Sequence, residues 1–182
     1  MPANTANAVE IAGIRVAPQA SVGGTNLVLN GAGLRQRFMT DVYVIGLYLP
    51  AITTSAESAA AASGPTRIAL TMMRDVTANA LIEALHEGVR DNTTKAEFAR
   101  LQASADALAA VMQPLHMALK GDVVALDYLP GIGAQVMVNG RAEGRPIPDR
   151  DLYRALLRIW LGTQPVDAEL KRALLSGRRQ GH

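Results

Sequence analysis

The most informative part of this chain is a pair of adjoining segments, Leu29–Phe38 (LNGAGLRQRF) and Val42–Pro50 (VYVIGLYLP). Both segments are rich in residues typical of β-strands, and Gly31-Ala32-Gly33 predicts a turn between strands. Arg35 follows this predicted turn, and Tyr43 comes eight residues later. Because strand side chains alternate between two faces, an even separation places both residues on one face if the strand continues. We therefore predict that Arg35 and Tyr43 point together into an apolar interior.

The glycines of this region do not indicate dinucleotide binding. Gln36 stands where that fingerprint needs its third glycine, and a strand follows where the fingerprint needs a helix. The stretch Asp127–Gly133 (DYLPGIG) is likewise interpreted as a turn.

The composition is that of one globular domain. The chain has 182 residues, of which 49% are apolar, 19% charged and 4% aromatic, so the core is expected to be aliphatic. We assign residues 1–182 to a single domain with loose termini at 1–8 and 177–182. The net charge is +2, and basic residues are dispersed except at Arg178 and Arg179. Nucleic-acid binding is not expected, because no basic stripe is interleaved with aromatic residues.

Several kinds of site are disfavoured by the sequence. With no cysteine, the chain has no disulfide framework, thiol nucleophile or thiolate metal site. His86, His116 and His182 do not show ligand spacing, so neither a metal nor another cofactor is expected, and His86 is assigned to a solvated helix face. No stretch approaches the ~20 apolar residues of a membrane span. The first eight residues lack the pattern of a signal peptide.

Hydrophobic periodicity predicts an α+β fold. Strands are expected at 9–16, 26–30, 38–49, 67–73, 122–129 and 134–138, with a hairpin turn at Asn139-Gly140. Helices are expected near 59–62, over 77–90, from 94 to before 114, from 149 or 151 to 162, and over 167–175. Since strands and helices do not alternate regularly, we predict a mostly antiparallel sheet with helices on one face. The nearly continuous apolar run at 38–49 indicates burial on both faces of its strand.

Helix starts carry local signals as well. Thr54 with Glu57 and Thr94 with Glu97 both match the capping box. Asp149 or Asp151 is expected to cap the helix that follows.

Arg35 and Arg37 face the same way if their segment is extended. Arginine usually points to solvent, and that reading remains open here. A guanidinium inside an apolar cleft needs a partner, which a ligand carboxylate supplies through two parallel hydrogen bonds, with a third available from the Tyr43 hydroxyl. The same two groups also suit an oxyanion that forms during catalysis. Both uses are compatible with the sequence.

Five segments together point to a known family: Asn30–Arg35 (NGAGLR), Val42–Pro50 (VYVIGLYLP), Met73–Val76 (MRDV), Asp127–Gly133 (DYLPGIG) and Tyr153–Gly162 (YRALLRIWLG). In this order they resemble the chalcone isomerase-like family, in particular its bacterial branch. The resemblance implies an open-faced β-sandwich, in which helices cover a large antiparallel sheet and the ligand cleft lies between them. It also implies a periplasmic location, because bacterial relatives often carry a signal peptide.

The resemblance assigns roles to individual residues. Arg35 matches an arginine that both the isomerases and the fatty-acid-binding members use. Tyr43 stands where the isomerases have a catalytic threonine and the fatty-acid binders have a tyrosine that contacts the carboxylate. Thr77 and Ala84 stand at about the positions where the plant enzymes have a tyrosine and an asparagine that orient the substrate. This departure disfavours chalcone cyclisation.

Three functions follow from these observations. The favoured one is noncatalytic binding of a fatty acid or similar apolar carboxylate by Arg35 and Tyr43. An alternative is an intramolecular lyase of the chalcone isomerase type, which closes a ring on an enone-phenol with Arg35 as its catalytic residue. A ligand-free helper or scaffold domain is the third. We expect a monomer with no transmembrane segment, whose partner is the small apolar carboxylate.

Overall fold

The computed structural model describes residues 8–177, so nearly all of the expected loose termini, with Arg178 and Arg179, lies outside the described residues. The strands are β1 (Val9–Ile11), β2 (Ile14–Val16), β3 (Gln19–Val22), β4 (Thr25–Arg37), β5 (Thr40–Leu49), β6 (Thr66–Met72), β7 (Val76–Thr77), β8 (Met117–Ala118), β9 (Val123–Leu129), β10 (Gly133–Val138) and β11 (Arg141–Ile147). The α-helices are α1 (Ala56–Ala60), α2 (Ala78–Asp91), α3 (Lys95–Met112), α4 (Arg150–Leu161) and α5 (Ala168–Leu174), and a 3-10 turn over Gln113–Leu115 follows α3.

Seven strands form one antiparallel sheet in the order β11-β10-β9-β6-β5-β4-β3. Helices cover one face over the larger hydrophobic core, and the β1–β2 hairpin packs against part of the other face over a smaller core. Strand β5 contributes to both cores: Tyr43 and Ile45 belong to the larger one, Val44 and Tyr48 to the smaller one. The predicted α+β class and the burial of this strand on both faces are confirmed.

The segment Gly31-Ala32-Gly33 is not a turn, and that prediction is wrong. It lies inside β4, and neither glycine has a positive φ. A Cβ atom on Gly31 would overlap the backbone carbonyl of Ala173, and one on Gly33 would lie 2.5 Å from Leu170 Cδ1. Helix α5 therefore rests directly on the strand, and glycine is needed for close approach of two backbones rather than for a change of direction.

The change of direction occurs later, at Phe38 and Met39. These two residues have φ of 50° and 63° and connect β4 to β5 as a two-residue hairpin turn. The predicted strand 38–49 therefore begins at Thr40. The other predicted hairpin turn, Asn139-Gly140, is confirmed, with φ of 50° and 81°.

Most helix starts agree with their sequence signals. The capping box of Thr94 and Glu97 is present at the start of α3, and Asp149, not Asp151, caps α4. The prediction for α1 is wrong by one residue, because the Oγ of Ser55, rather than Thr54, accepts a hydrogen bond from the backbone N–H of Ser58.

We expect Gly31→Ala to destabilise the fold. The added methyl group forces α5 away from β4, and such overpacking typically costs about 1–3 kcal/mol of unfolding free energy. Urea denaturation measures this cost. Ser21→Thr adds a methyl group at an exposed position of the adjacent strand β3 and should change the free energy by less than about 0.5 kcal/mol. Equal urea midpoints for Gly31→Ala and Ser21→Thr would show that the packing of α5 on β4 does not require glycine at position 31.

Candidate functional site

A cavity of about 220 Å³ lies at one end of the sheet, between the helix-covered face and helices α2 and α4. Its walls are mostly apolar, and three arginines complete the lining. No acidic residue is among the described residues that line it. The lining comprises Arg35, Arg37, Val42, Tyr43, Leu70, Arg74, Val76, Ala80, Leu81, Ala84, Leu85, Ile159, Trp160 and Val166. The cavity therefore combines an apolar interior with a positive charge that no carboxylate in its wall offsets.

Arg35 and Tyr43 are directly opposite each other on β4 and β5. They share a face for this reason, and not because one strand runs through both, as the sequence argument assumed. The register shifts between Arg35 and Gln36, which leaves Val42 as an extra residue on β5. This bulge brings Val42 as well as Tyr43 to the cavity.

The Arg35 guanidinium is held by backbone carbonyl groups. Its Nη1 donates to the carbonyl oxygens of Gln36 at 3.0 Å and Val166 at 3.3 Å, and the residue is half-buried. The ion pairs found among residues 8–177 do not include Arg35. Its position is thus fixed while its charge remains unneutralised by a carboxylate in the part of the chain that is described.

The Tyr43 hydroxyl is positioned by Trp160. Tyr43 is only 8% exposed, and its oxygen accepts a hydrogen bond of 2.9 Å from Trp160 Nε1. Burial raises the pKa of Tyr43, while the bond from Trp160 and the charge of Arg35 partly oppose that rise. The phenol is therefore neutral at pH 7, and within residues 8–177 no acceptor is found for its proton. This group can donate to a ligand.

Sequence reasoning placed Trp160 only in the apolar stripe of its helix and missed this role. Trp160 is the single tryptophan of the chain and is almost completely buried. A buried indole N–H usually has a hydrogen-bond acceptor, so the predicted burial was a signal that a polar partner had to be nearby.

Helix α2 gives the cavity an apolar wall. Ala84 lines it, whereas the Thr77 side chain caps the helix by accepting from Ala80 N at 3.1 Å and does not line the cavity. Neither residue offers the hydrogen bonds that the plant enzymes would have here. Further along α2, Gly88 lies against Ile159 of α4 so closely that a Cβ would come within 2.8 Å of two of its carbons. The two helices are thereby held at a fixed spacing.

A family model described as chalcone isomerase-like matches residues 8–176. This chain belongs to the chalcone isomerase-like family. Among solved structures, a fatty-acid binding protein of Arabidopsis thaliana superposes with a TM-score of 0.72. It is 18% identical, and the match covers 90% of this chain and 92% of that one, so the likeness confirms the fold. A search of curated proteins finds no significant match.

A second arginine of this chalcone isomerase-like chain provides an internal contrast to Arg35. Arg67 on β6 pairs with Asp127 on β9, with Nε to Oδ1 at 2.6 Å and Nη2 to Oδ2 at 2.8 Å. Asp127 is 3% exposed and lies in β9, in agreement with the strand predicted over 122–129, while the turn predicted for Asp127–Gly133 occupies only residues 130–132. Asp127 alternates with Leu126 of the larger core and thus points away from the helices. Arg67 is therefore a structural arginine, which the sequence analysis did not single out.

Of the three histidines, His86 and His116 lie within the described residues and His182 lies outside them. Over residues 8–177, no group of three or more His, Cys, Asp or Glu side chains is arranged to hold a metal. His86 is half-buried, and its Nε2 is buried without a hydrogen-bond partner in this range, so the expected solvated position is wrong for that atom. In the same part of the chain, no helix is both long and apolar enough to cross a bilayer.

The two arginines should differ in their contribution to stability. Arg67→Ala leaves the Asp127 carboxylate buried without its partner, which typically costs about 3–5 kcal/mol. Arg35→Ala removes hydrogen bonds from the guanidinium to carbonyl groups and leaves no buried ion behind, so we expect a smaller loss of about 1.5–3 kcal/mol. Chemical denaturation of the two variants measures both values. A loss for Arg35→Ala as large as that for Arg67→Ala would mean that Arg35 is also a structural residue.

Proposed function

We propose that this protein binds a fatty acid or similar apolar carboxylate in the cavity without transforming it. The observation that carries the proposal is Arg35, a half-buried guanidinium at the wall of an apolar cavity, for which residues 8–177 supply no carboxylate. In such surroundings a charge attracts an anion strongly, because little water competes for it.

The hydrogen bonds of Arg35 leave a suitable edge for a carboxylate. Both of its bonds within the described range come from Nη1, which leaves the N–H groups of Nε and Nη2. These two groups form the edge that binds a carboxylate through two parallel bonds. Arg67 uses the same edge for Asp127. A ligand carboxylate would accept two parallel hydrogen bonds from Arg35, as the Asp127 carboxylate does from Arg67. The Tyr43 hydroxyl would donate a third hydrogen bond to the ligand.

The size of the cavity restricts the ligand. Pockets for drug-sized molecules usually measure about 300–1,000 Å³, and this cavity measures about 220 Å³. We therefore propose a carboxylate with a short or medium apolar body. Arg37 and Arg74 add positive charge around the cavity and would attract anions toward it. The fatty-acid binding of the Arabidopsis structural relative agrees with this class of ligand.

We expect wild-type protein to retain an apolar carboxylate that Arg35→Ala loses. Hydrogen bonds to charged groups typically contribute about 1.5–3 kcal/mol, so affinity should fall about 10- to 100-fold. Tyr43→Phe removes one donor and should weaken binding about 2- to 10-fold. Native mass spectrometry of the purified proteins, followed by extraction, measures the amount and chain length of bound ligand.

Arg100→Ala is the matched control, because Arg100 is an exposed arginine that does not line the cavity. It should retain the wild-type ligand in the wild-type amount. If wild type and Arg35→Ala carry the same lipids in equal amounts, Arg35 is not the anchor and this proposal is wrong.

The intramolecular lyase is the second candidate, favoured by one observation. Arg35 and Tyr43 are two donors on one face of the cavity, and such a pair can stabilise an oxyanion. The α2 wall speaks against it, since Ala84 cannot hydrogen-bond to a substrate. A scaffold without a ligand is disfavoured by the cavity itself.

We expect no isomerase activity above the buffer rate, because the α2 residues that line the cavity are all apolar and cannot orient a phenolate toward the enone. A spectrophotometric assay that follows the absorbance of a chalcone tests this. Acceleration that disappears in Arg35→Ala would instead assign the lyase reaction to this cavity.

A further inference from the structure

Large exposed apolar side chains occur in two segments at the cavity end of the sheet. Phe38 and Met39, in the β4–β5 turn, are 89% and 96% exposed. Met117 and Leu119, which precede β9, are also exposed. Strand β9 starts at the end of the sheet where β5 starts, because both strands pair antiparallel with β6. We call Phe38, Met39, Met117 and Leu119 the apolar rim.

The turn residues of the rim are unfavourable for the turn that they form. Phe38 and Met39 both have positive φ, the region in which glycine and asparagine are preferred. The chain uses the preferred pair, Asn139-Gly140, in the same kind of turn between β10 and β11. At β4–β5 it instead places two bulky apolar residues in a strained conformation and exposes them to water. Such a combination indicates contact with something outside the described chain.

Positive charge accompanies the apolar rim. The Arg37 guanidinium lies 5.3 Å from the centroid of the Phe38 ring. Arg35 and Arg74 line the cavity beside it, and Lys120 follows Leu119 in the chain.

Three carboxylates also lie at this end of the sheet, and each accepts a hydrogen bond from its own neighbourhood. Asp41 accepts from Gln36 Nε2 at 2.7 Å, Asp75 from Lys120 N at 2.8 Å, and Asp122 from Leu119 N at 2.8 Å. These donors are neutral, so the carboxylates keep their charge, and the four basic side chains exceed the three carboxylates by one. The remaining positive charge, combined with exposed aromatic and aliphatic groups, suits the boundary between anionic headgroups and acyl chains.

We propose that the apolar rim docks on an anionic lipid bilayer. The Phe38–Met39 turn enters the headgroup boundary, and Arg37 and Lys120 contact the headgroups. The arginine-lined side of the cavity then faces the membrane, so that an apolar ligand can pass between bilayer and cavity with little exposure to water. This last step rests on the proposed function, whereas docking itself does not.

Vesicle co-sedimentation tests the proposal with the full chain. Wild type should bind to phosphatidylcholine vesicles that contain phosphatidylglycerol. It should bind about fivefold less to vesicles without phosphatidylglycerol, the effect expected for one net positive charge near the surface. Phe38→Asn combined with Met39→Gly should reduce binding by about tenfold or more, because the inserted apolar groups are gone. The same variant should unfold at an equal or higher temperature, since its turn residues suit a positive φ.

Ile132→Asn is the matched control. Ile132 is an exposed apolar residue, 53% accessible, in the turn between β9 and β10 at the opposite end of the sheet. Its replacement should leave vesicle binding unchanged. Equal vesicle binding by wild type and the double turn variant overturns the proposal.

Two further outcomes also count against membrane docking. If the double turn variant unfolds at a clearly lower temperature, Phe38 and Met39 serve the fold. If light scattering shows a dimer of the wild type that the variant loses, while neither binds vesicles, the rim joins two copies of the chain. Ligand retention by Arg35→Ala is measured separately, so failure of docking and failure of ligand binding are distinguishable.

Discussion

The direct contact between helix α5 and strand β4 determines where the other parts of the site lie. Gly31 and Gly33 have no side chain, so that the backbone of α5 can approach the backbone of β4 closely. Asn30, the extra residue in the strand register, donates from Nδ2 to Leu174 O and accepts at Oδ1 from Thr53 N, both at 2.8 Å. Val166, whose carbonyl holds Arg35, precedes α5, and its own N–H donates to Ile159 O at 2.9 Å. Gly31 and Gly33 lie four and two residues before Arg35 on β4, about 13 and 7 Å along the strand, so α5 is seated on β4 close to the guanidinium.

The two faces of the sheet use arginine in different ways. On the face away from the helices, Arg67 and the buried Asp127 neutralise each other, so this pair holds β6 to β9 and leaves no net charge. On the helix-covered face, Arg35 is held by carbonyl dipoles, which orient a guanidinium without cancelling its charge. A positive potential therefore persists beside the apolar walls of the cavity. Both residues are arginines, and they differ in their partners. A carboxylate partner makes Arg67 structural, whereas carbonyl partners leave Arg35 with a charge that a ligand can use.

Features determined by neighbouring residues were predictable from sequence, and contacts between distant residues were not. The Thr94–Glu97 capping box and the Asn139-Gly140 turn each depend on at most four consecutive residues, and both are present. The turn predicted at Gly31-Ala32-Gly33 is wrong because a short sequence pattern does not distinguish a glycine in a turn from a glycine in a strand that packs closely against a helix. What distinguishes these cases is α5, whose contact with Asn30 spans 144 residues of sequence.

The candidate site shows the same limit. Arg35 and Tyr43 were singled out by residue type and family resemblance, and the structure places them side by side at the cavity. Trp160, which orients the Tyr43 hydroxyl, is 117 residues away in sequence, and periodicity assigned it only to the buried stripe of a helix. Helix α2 adds a connection that no local pattern contains: Ala78 N donates to His116 O, and β7 pairs with β8. Through these bonds the wall of the cavity is continuous with Met117 of the apolar rim. A displacement of Met117 would therefore act on the first turn of α2, whereas Gly88, near the end of the helix, lies against Ile159 of α4.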